Sequence, residues 1–451
     1  MTPLRFLRSP MALMGIGLGM VVLSGFAFIP LITRSGVDKS AVAALASLYF
    51  LVNTIALGAF SGVEQEMSRT VSRERALGRP SWQAARLVAR QALVLFGLIS
   101  ALVVVLSPVL VGEALGGHWV LLVELVVGVL ATCCASAVRG ALAGSERFGL
   151  YAATLAVEGV ARVVPLVALW LLGADSAWLF GLAFVLGQAF AALVGAGVLW
   201  RTGAVDASRV AAAAAPPAES TDRKWLGLSG SLFLLVVASL TFQAVVNLPP
   251  VVIGAKLEAL PEVATAIAGA VTLTRLPMFA FVPLQTTLLP RLTAAAARGD
   301  RRGVRTQTLR TIALCVTLGL LGIVLLATAG PWLLALVVAK TGSLSNGTLA
   351  ALGIGTVFLM AANVMQPALV ALGKHRMVLA AFLTGAAAMT VTFVLPVDPV
   401  TAAVLSTAAG PATLTIFMVV VLLRATGHDH QPAPVEAPTP APAEPRERTT
   451  R

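Results

Sequence analysis

Long uncharged stretches, separated by short charged ones, constrain this chain more than any other feature. Residues 40–61 contain no charged side chain, whereas seven ionised groups follow within 62–80. A membrane span needs ~20 apolar residues, and barrel strands cross with only ~10. Charged residues make up 12% of the chain, against about 25% in soluble domains. Because helices satisfy their own backbone groups in lipid, the sequence predicts an all-α integral membrane protein.

Twelve transmembrane helices are predicted from these stretches. Their ranges are 11–32, 40–62, 91–111, 118–138, 149–172, 176–200, 227–254, 259–289, 311–338, 347–372, 377–396 and 399–423. With the N-terminus in the cytoplasm, the inner segments carry 26 of the 32 Lys and Arg residues and the outer segments carry four. This asymmetry follows the positive-inside rule and predicts a multi-pass protein with both termini cytoplasmic. Arginine far outnumbers lysine and alanine is abundant, which suggests a GC-rich bacterial genome and therefore a bacterial plasma membrane.

The charged segment 62–90 is therefore predicted to be a cytoplasmic loop, and its bland interpretation is a solvated anchor beside anionic membrane lipids. The net charge of +12 has the same topological origin, so no nucleic-acid partner is expected.

A weak internal repeat relates the two halves of the chain. At an offset of 222, Arg69 falls on Arg291, and Asn53 falls on Arg275. Six spans in each half give both halves the same orientation, which predicts two parallel six-helix lobes around a central cleft. The predicted units are an N-terminal lobe (1–204), a cytoplasmic linker (205–226), a C-terminal lobe (227–424) and a disordered cytoplasmic tail (425–451).

Ionisable side chains inside spans are costly and mark candidate functional positions. Glu158 and Arg162 are four residues apart with the acid first, which favours an ion pair. That pair could serve only packing, or it could present a polar patch to a cavity. Glu124 lies about two turns from the predicted outer surface, within reach of water. Glu124 and Glu158 are the candidate proton-coupling carboxylates.

Arg275 is the most informative of these positions, because no acid lies within a turn or two of it on its own span. It must meet an acid of the other lobe, water or a substrate anion. Pro277 follows closely and predicts a bend. The repeat pairs Arg275 with the polar Asn53, so both are predicted to face the cleft, with a buried interlobe salt bridge as the alternative.

Span seven adds Gln243 and Asn247 on one helical face, followed by Pro249 and Pro250. Interrupted helices near the midplane often form transporter binding sites, although ordinary interhelical hydrogen bonding is the plainer interpretation. The sequence contains no Walker A motif and no metal-ligand spacing, so we expect no enzymatic activity, no cofactor and no metal.

The chain resembles the polysaccharide flippases (Wzx-like) in three features. These are the twelve spans in two halves, the stretch GVEQEMSR after span two, and the stretch LAGSERFGLYAATLAVEGVARVVP leading into span five. These flippases belong to the multidrug/oligosaccharidyl-lipid/polysaccharide exporter superfamily. The resemblance covers about residues 10–424. It implies outward flipping of an undecaprenyl-diphosphate-linked oligosaccharide by alternating access through a cationic cavity, with a polysaccharide polymerase or glycosyltransferases as partners besides membrane lipids.

Together with the polar positions identified above, the resemblance suggests roles for particular residues, although Arg275 fits the cationic cavity by position only. The candidate cleft residues that would contact the anionic headgroup are Arg275, Arg162, Asn53, Gln243 and Asn247. Glu64, Arg69 and Arg291 would form a cytoplasmic gate. Two alternatives stay open, namely an ion-coupled antiporter of small organic cations and an inactive, flippase-like scaffold for cell-wall assembly. The drug/cation antiporters usually carry cavity acids in spans one or seven, and those spans have none here.

Overall fold

The structure, a computed structural model, describes residues 10–202, 229–278, 292, 300–338 and 344–427. Every regular element within these ranges is helical. Eleven helices among the described residues are long and apolar enough to cross a membrane. The predicted fold class, an all-α integral membrane protein, is confirmed.

The N-terminal lobe consists of seven main helical segments. They are α1 (Pro10–Thr33), α2 (Lys39–Val52), α3 (Gly58–Ala76), α4 (Ser81–Val105), α5 (Trp119–Gly144), α6 (Phe148–Leu171) and α7 (Ala177–Thr202). A π-helical turn, Asn53–Leu57, joins α2 to α3, so these two segments form one continuous span. A short helix, Ser107–Val109, and a second π-helical turn, Leu110–Ala114, follow α4.

The C-terminal lobe repeats this order. Its helices are α8 (Gly230–Lys256), α9 (Pro261–Thr274), α10 (Arg301–Val337), α11 (Asn346–Ala371), α12 (His375–Phe393) and α13 (Pro399–Gly427). The predicted span 259–289 begins as α9, and its part from 279 onward lies outside the described residues. Most of the predicted linker and tail lies outside them as well, although α13 continues to Gly427, past the predicted lobe boundary.

The second span is longer than predicted, because residues 62–76 continue it as helix rather than forming a loop. The segment is rich in Glu, Gln, Met and Arg, which are good helix formers. An ion pair between Glu66 and Arg69, at a spacing of three residues, also favours the helical state. The first arginines of the predicted loop therefore lie on α3, and the chain turns back only at Leu77–Pro80.

Inside the N-terminal lobe, α5 packs directly on the backbone of α3 through Gly140 and Gly144. A Cβ atom at Gly140 would lie 2.6 Å from the carbonyl oxygen of Glu64, and one at Gly144 would lie 2.7 Å from that of Ser68. Small residues four apart allow such close approach of helices in membranes, where packing replaces the hydrophobic effect.

We expect Gly140→Ala to destabilise the protein, because the new methyl group meets backbone of α3 that has no flexible end to move. Overpacking of this kind costs about 1–3 kcal/mol. Thermal unfolding in detergent measures the change. Gly97→Ala on α4 is the matched control, since nothing lies within 4 Å of its Cβ position. An equal unfolding temperature for Gly140→Ala and Gly97→Ala would contradict the close packing.

A second glycine pair, on α3 itself, brings the two lobes together. A Cβ atom added at Gly58 would lie 3.1 Å from the Cα atom of Leu240. A Cβ atom added at Gly62 would lie 3.1 Å from the backbone nitrogen of Val236. Both neighbours belong to α8. The segment α3 is therefore held by glycine contacts on both sides, against α5 within its own lobe and against α8 of the other.

On the side predicted to face outward, the lobes meet through polar contacts. The Arg34 guanidinium donates to the carbonyl oxygens of Ala335 (3.1 Å), Leu336 (2.6 Å) and Val337 (3.2 Å) at the end of α10. These carbonyls have lost their helical partners, which a cationic side chain commonly replaces. Lys39, at the start of α2, forms an ion pair with Glu262 at the start of α9.

Candidate functional site

Arg275 lies at the break of the ninth helix. The helix α9 ends at Thr274, and Arg275 follows as its C-cap. The helix is interrupted at Arg275 and resumes at residues 276–278, where the bend was predicted. Pro277 has no N–H to offer the carbonyl four residues earlier, which favours a break at this point. The guanidinium of Arg275 reaches across to α8.

The proline pair of α8 supplies the acceptor for this arginine. The predicted interruption of that helix is wrong, since α8 runs through Pro249 and Pro250 without a break. Pro250 nevertheless leaves the Val246 carbonyl without its usual partner, and that carbonyl accepts a hydrogen bond from Nη2 of Arg275. Nη1 donates to Oδ1 of Asn247 at 2.9 Å.

Both hydrogen-bond acceptors that the described residues offer to Arg275 are thus neutral. No carboxylate lies within ion-pair distance of Arg275 in the part of the chain that the structure describes. Its guanidinium also lies 5.5 Å from the ring centroid of Phe50, on the N-terminal lobe. The side chain therefore crosses from one lobe to the other, and the described residues of the N-terminal lobe provide no acid for the alternative, a buried interlobe salt bridge.

A cavity of about 440 Å³ lies between the lobes on the side predicted to face the cytoplasm. It is bounded by α3, α8, α11 and α12, and we call it the inner cavity. Its polar lining residues are Ser61, Gln65, Ser239, Gln243, Gln366 and Arg376. No acidic side chain is among its described lining residues. Gln243 connects the cavity to the arginine, because its Oε1 accepts from Asn247 Nδ2 at 3.3 Å.

Three of the predicted cleft residues, Gln243, Asn247 and Arg275, are thus brought into one hydrogen-bonded line. Asn53 begins the π-helical turn of the second span, and its side chain donates to the Tyr49 carbonyl at 2.7 Å. That turn packs against α8. The two spans that the repeat pairs are therefore irregular at the paired positions, Asn53 and Arg275.

Arg162 lies elsewhere, inside the N-terminal lobe. The expected ion pair with Glu158 is present at 2.8 Å. Arg162 also donates to the Phe184 carbonyl at 3.1 Å and to the Ser24 hydroxyl at 3.4 Å, and its guanidinium lies 4.4 Å from the centre of the Phe184 ring. With 4% of its surface exposed, it is not brought together with Arg275.

Glu158 has a second cationic partner that the sequence did not reveal. Arg139 donates to its other carboxylate oxygen at 2.6 Å and to the Thr154 hydroxyl at 3.2 Å. The assignment of Arg139 to a cytoplasmic segment is wrong, because α5 extends to Gly144 and buries this arginine among helices. Only the tertiary contact of α5 with α6 identifies the pair, and no spacing in the sequence encodes it.

Glu124 is buried rather than near water. It is 3% exposed, and neither carboxylate oxygen has a hydrogen-bond partner among the residues that the structure describes. One oxygen lies directly against Gly181 of α7, where an added Cβ would be 1.9 Å away. The carboxyl group therefore occupies the apolar interior of the N-terminal lobe, away from Arg275.

The predicted gate residues have partners within their own lobe. Glu64 accepts from the Tyr151 hydroxyl at 2.7 Å, and Arg69 donates to both carboxylate oxygens of Glu66, at 3.1 and 2.7 Å. Arg291 lies outside the described residues. The gate therefore stays a prediction. Within the described ranges, no group of three or more His, Cys, Asp or Glu side chains is arranged to hold a metal ion.

The fold is that of a polytopic membrane protein with two helical lobes. The lobes are in contact on the side predicted to face outward, and the candidate ligand site is the inner cavity between them. Solved structures have the same fold. The chain superposes on the inward-facing conformation of a multidrug resistance MATE family transporter of the MOP superfamily with a TM-score of 0.69, at 12% identity, over 93% of this chain and 99% of the other. For the outward-facing conformation of such a transporter the TM-score is 0.59, at 15% identity, over 95% and 99%.

Sequence comparison is less informative. No family model matches the chain. It is 27% identical over 373 residues to the uncharacterized protein Rv1510 of Mycobacterium tuberculosis strain H37Rv, covering 82% of each. The same values hold for the uncharacterized protein MT1558/MT1560 of strain CDC 1551 / Oshkosh. The structural superpositions, rather than the sequence identities, show that this chain shares the fold of the MATE transporters.

Proposed function

We propose that this protein is an alternating-access transporter that flips an undecaprenyl-diphosphate-linked oligosaccharide from the inner to the outer leaflet, for cell-surface polysaccharide synthesis. The observation that carries the proposal is Arg275, an interlobe arginine whose hydrogen-bond acceptors among the described residues are all neutral. A cation buried without a counter-ion is costly in a membrane, and an anionic substrate would offset that cost. Arginine suits a diphosphate because its planar fork makes paired hydrogen bonds to phosphate oxygens.

The inner cavity supports the same substrate class. Its described lining combines amide and hydroxyl groups, which suit sugar hydroxyls, with Arg376 and no acid. The whole chain superposes with a higher TM-score on the inward-facing MATE structure than on the outward-facing one. This difference agrees with a site that is loaded from the cytoplasmic side. A membrane potential that is negative inside would assist, at ~2.3 kcal/mol per charge per 100 mV.

The proposal is tested by deleting the gene and extracting the lipid-linked oligosaccharides for mass spectrometry. Accumulation of an undecaprenyl-diphosphate glycan, reversed by the wild-type gene, is the expected result, and the mass would identify the repeating unit. An unchanged lipid pool would overturn the proposal.

A second candidate, the ion-coupled antiporter of small organic cations, is favoured by one observation. Glu124 is a buried carboxyl group that has no hydrogen-bond partner within the described ranges, and such a group can take up and release a proton. This candidate requires new sensitivity to cationic compounds on deletion, with Glu124→Gln equally inactive. The absence of any acid from the described lining of the inner cavity favours the flippase.

A further inference from the structure

A separate cavity of about 350 Å³ lies at the opposite, cytoplasmic end of the N-terminal lobe from the outer contacts. It is formed where the end of α3 faces the start of α4, and we call it the basic pocket. Its charged lining residues are Arg69, Arg73, Arg86, Arg90, Glu66 and Glu74. Four cations and two anions leave a net charge of two positive units.

The charges of the basic pocket are only partly neutralised within the protein. Arg69 forms an ion pair with Glu66. Arg73, Arg86 and Arg90 make no ion pair in the described part of the chain, and their side chains are exposed. Arg86 is oriented by Trp82, whose ring centre lies 4.7 Å from the guanidinium carbon. Three guanidinium groups therefore line one cavity without a carboxylate partner in the described ranges.

The depth of the basic pocket follows from its neighbours on α4. Leu87 and Leu93 are each 55% exposed, and Val94 is 44% exposed, so this helix presents an apolar surface beside the arginines. Trp82 lies one turn before Arg86, and tryptophan is enriched at the membrane–water boundary. The basic pocket therefore lies at headgroup level, with an apolar surface suited to acyl chains beginning directly below it.

We propose that the basic pocket binds the phosphate of an anionic phospholipid in the cytoplasmic leaflet, with the acyl chains along Leu87, Leu93 and Val94. Arginine forks recognise phosphate oxygens, and basic pockets between transmembrane helices are suited to lipid headgroups. Ser229, the N-cap of α8, also borders the cavity. A headgroup bound there would therefore contact the N-cap of the C-terminal lobe's first helix as well as the N-terminal lobe.

Native mass spectrometry of the full-length protein tests this, after mild detergent exchange with phosphatidylglycerol or phosphatidylcholine added. We expect wild type to retain phosphatidylglycerol in preference to phosphatidylcholine. The variant Arg73→Gln/Arg86→Gln/Arg90→Gln should retain at least fivefold less phosphatidylglycerol. Arg301→Gln/Arg305→Gln/Arg310→Gln, on exposed positions of α10, removes the same charge elsewhere and should retain it as wild type does.

Further arms separate the possible sources of the phosphate. Millimolar inorganic phosphate should not displace the lipid, because it lacks acyl chains, and full displacement would overturn the assignment to a lipid. Equal retention by wild type and the pocket variant, or equal loss in the α10 control, would also overturn the proposal. If the triple variant fails to elute as a folded protein, the exposed single changes Arg86→Gln and Arg90→Gln are measured instead, each with reduced retention expected.

Discussion

Arg275→Gln is expected to lower the rate of lipid-linked oligosaccharide flipping about 10- to 100-fold while leaving the protein folded. A hydrogen bond to a charged group contributes ~1.5–3 kcal/mol. If Arg275 makes such a bond to the headgroup only in the transition state of flipping, its loss lowers the rate by about that factor. The fold should tolerate the change because Arg275 has no carboxylate partner among the described residues, so its removal strands no opposite charge. Glutamine can still donate to Asn247.

The measurement uses proteoliposomes that contain a fluorescent oligosaccharide on a polyprenyl diphosphate, with flipping followed by quenching from outside. Arg275→Lys keeps the charge but loses the fork, so an intermediate rate is expected. Arg310→Gln, at an exposed position of α10, controls for the change of net charge. A folded Arg275→Gln protein that flips the lipid at the wild-type rate would show that Arg275 does not bind the headgroup, and the proposed function would lose its main support.

Glu158→Gln is expected to destabilise the N-terminal lobe by about 3–5 kcal/mol, the cost of removing one partner from a buried ion pair. Here one carboxylate serves two arginines, Arg139 at 2.6 Å and Arg162 at 2.8 Å, and all three side chains are buried. Without Glu158, two guanidinium groups are left close together in a low-dielectric interior.

Thermal unfolding in detergent should detect this as a fall of several degrees in the midpoint. Adding Arg139→Gln to Glu158→Gln should restore part of the loss, since one stranded charge is then removed. Glu262→Gln is the control, because its partner Lys39 is 68% exposed and the pair is solvated. A midpoint for Glu158→Gln equal to that of Glu262→Gln would show that the cluster does not stabilise the fold.

The sequence predicted the features that depend on local chemistry. The apolar runs identify the spans because a bilayer imposes their length, and the spacing of Glu158 and Arg162 fixes their pairing on one helix. Pro277 likewise predicts the break beside Arg275, because the missing N–H is a property of that residue alone.

Features that depend on tertiary contacts could not be predicted from the sequence, because the residues that meet are far apart along the chain. Arg139 looks like an ordinary flanking arginine until α5 is seen to pack on α6. Pro249 and Pro250 suggested an interrupted helix, yet α8 continues and only a freed carbonyl reveals their effect. The inner cavity joins α3 with three helices of the other lobe, and no one-dimensional pattern specifies which faces meet.

The glycine contact between α3 and α8 has a mechanical consequence. Because Gly58 and Gly62 carry no side chains, α3 presents bare backbone to α8 at this contact and leaves no side chain of its own to disengage. If the lobes change their relative tilt, as the proposed transport cycle requires, this contact would serve as the fulcrum. Lys39 lies 19 residues before Gly58, or about 28 Å along the span at 1.5 Å per residue. By that lever arm a rotation of roughly 10° moves Lys39 by about 5 Å, enough to separate it from Glu262 and open the outer side.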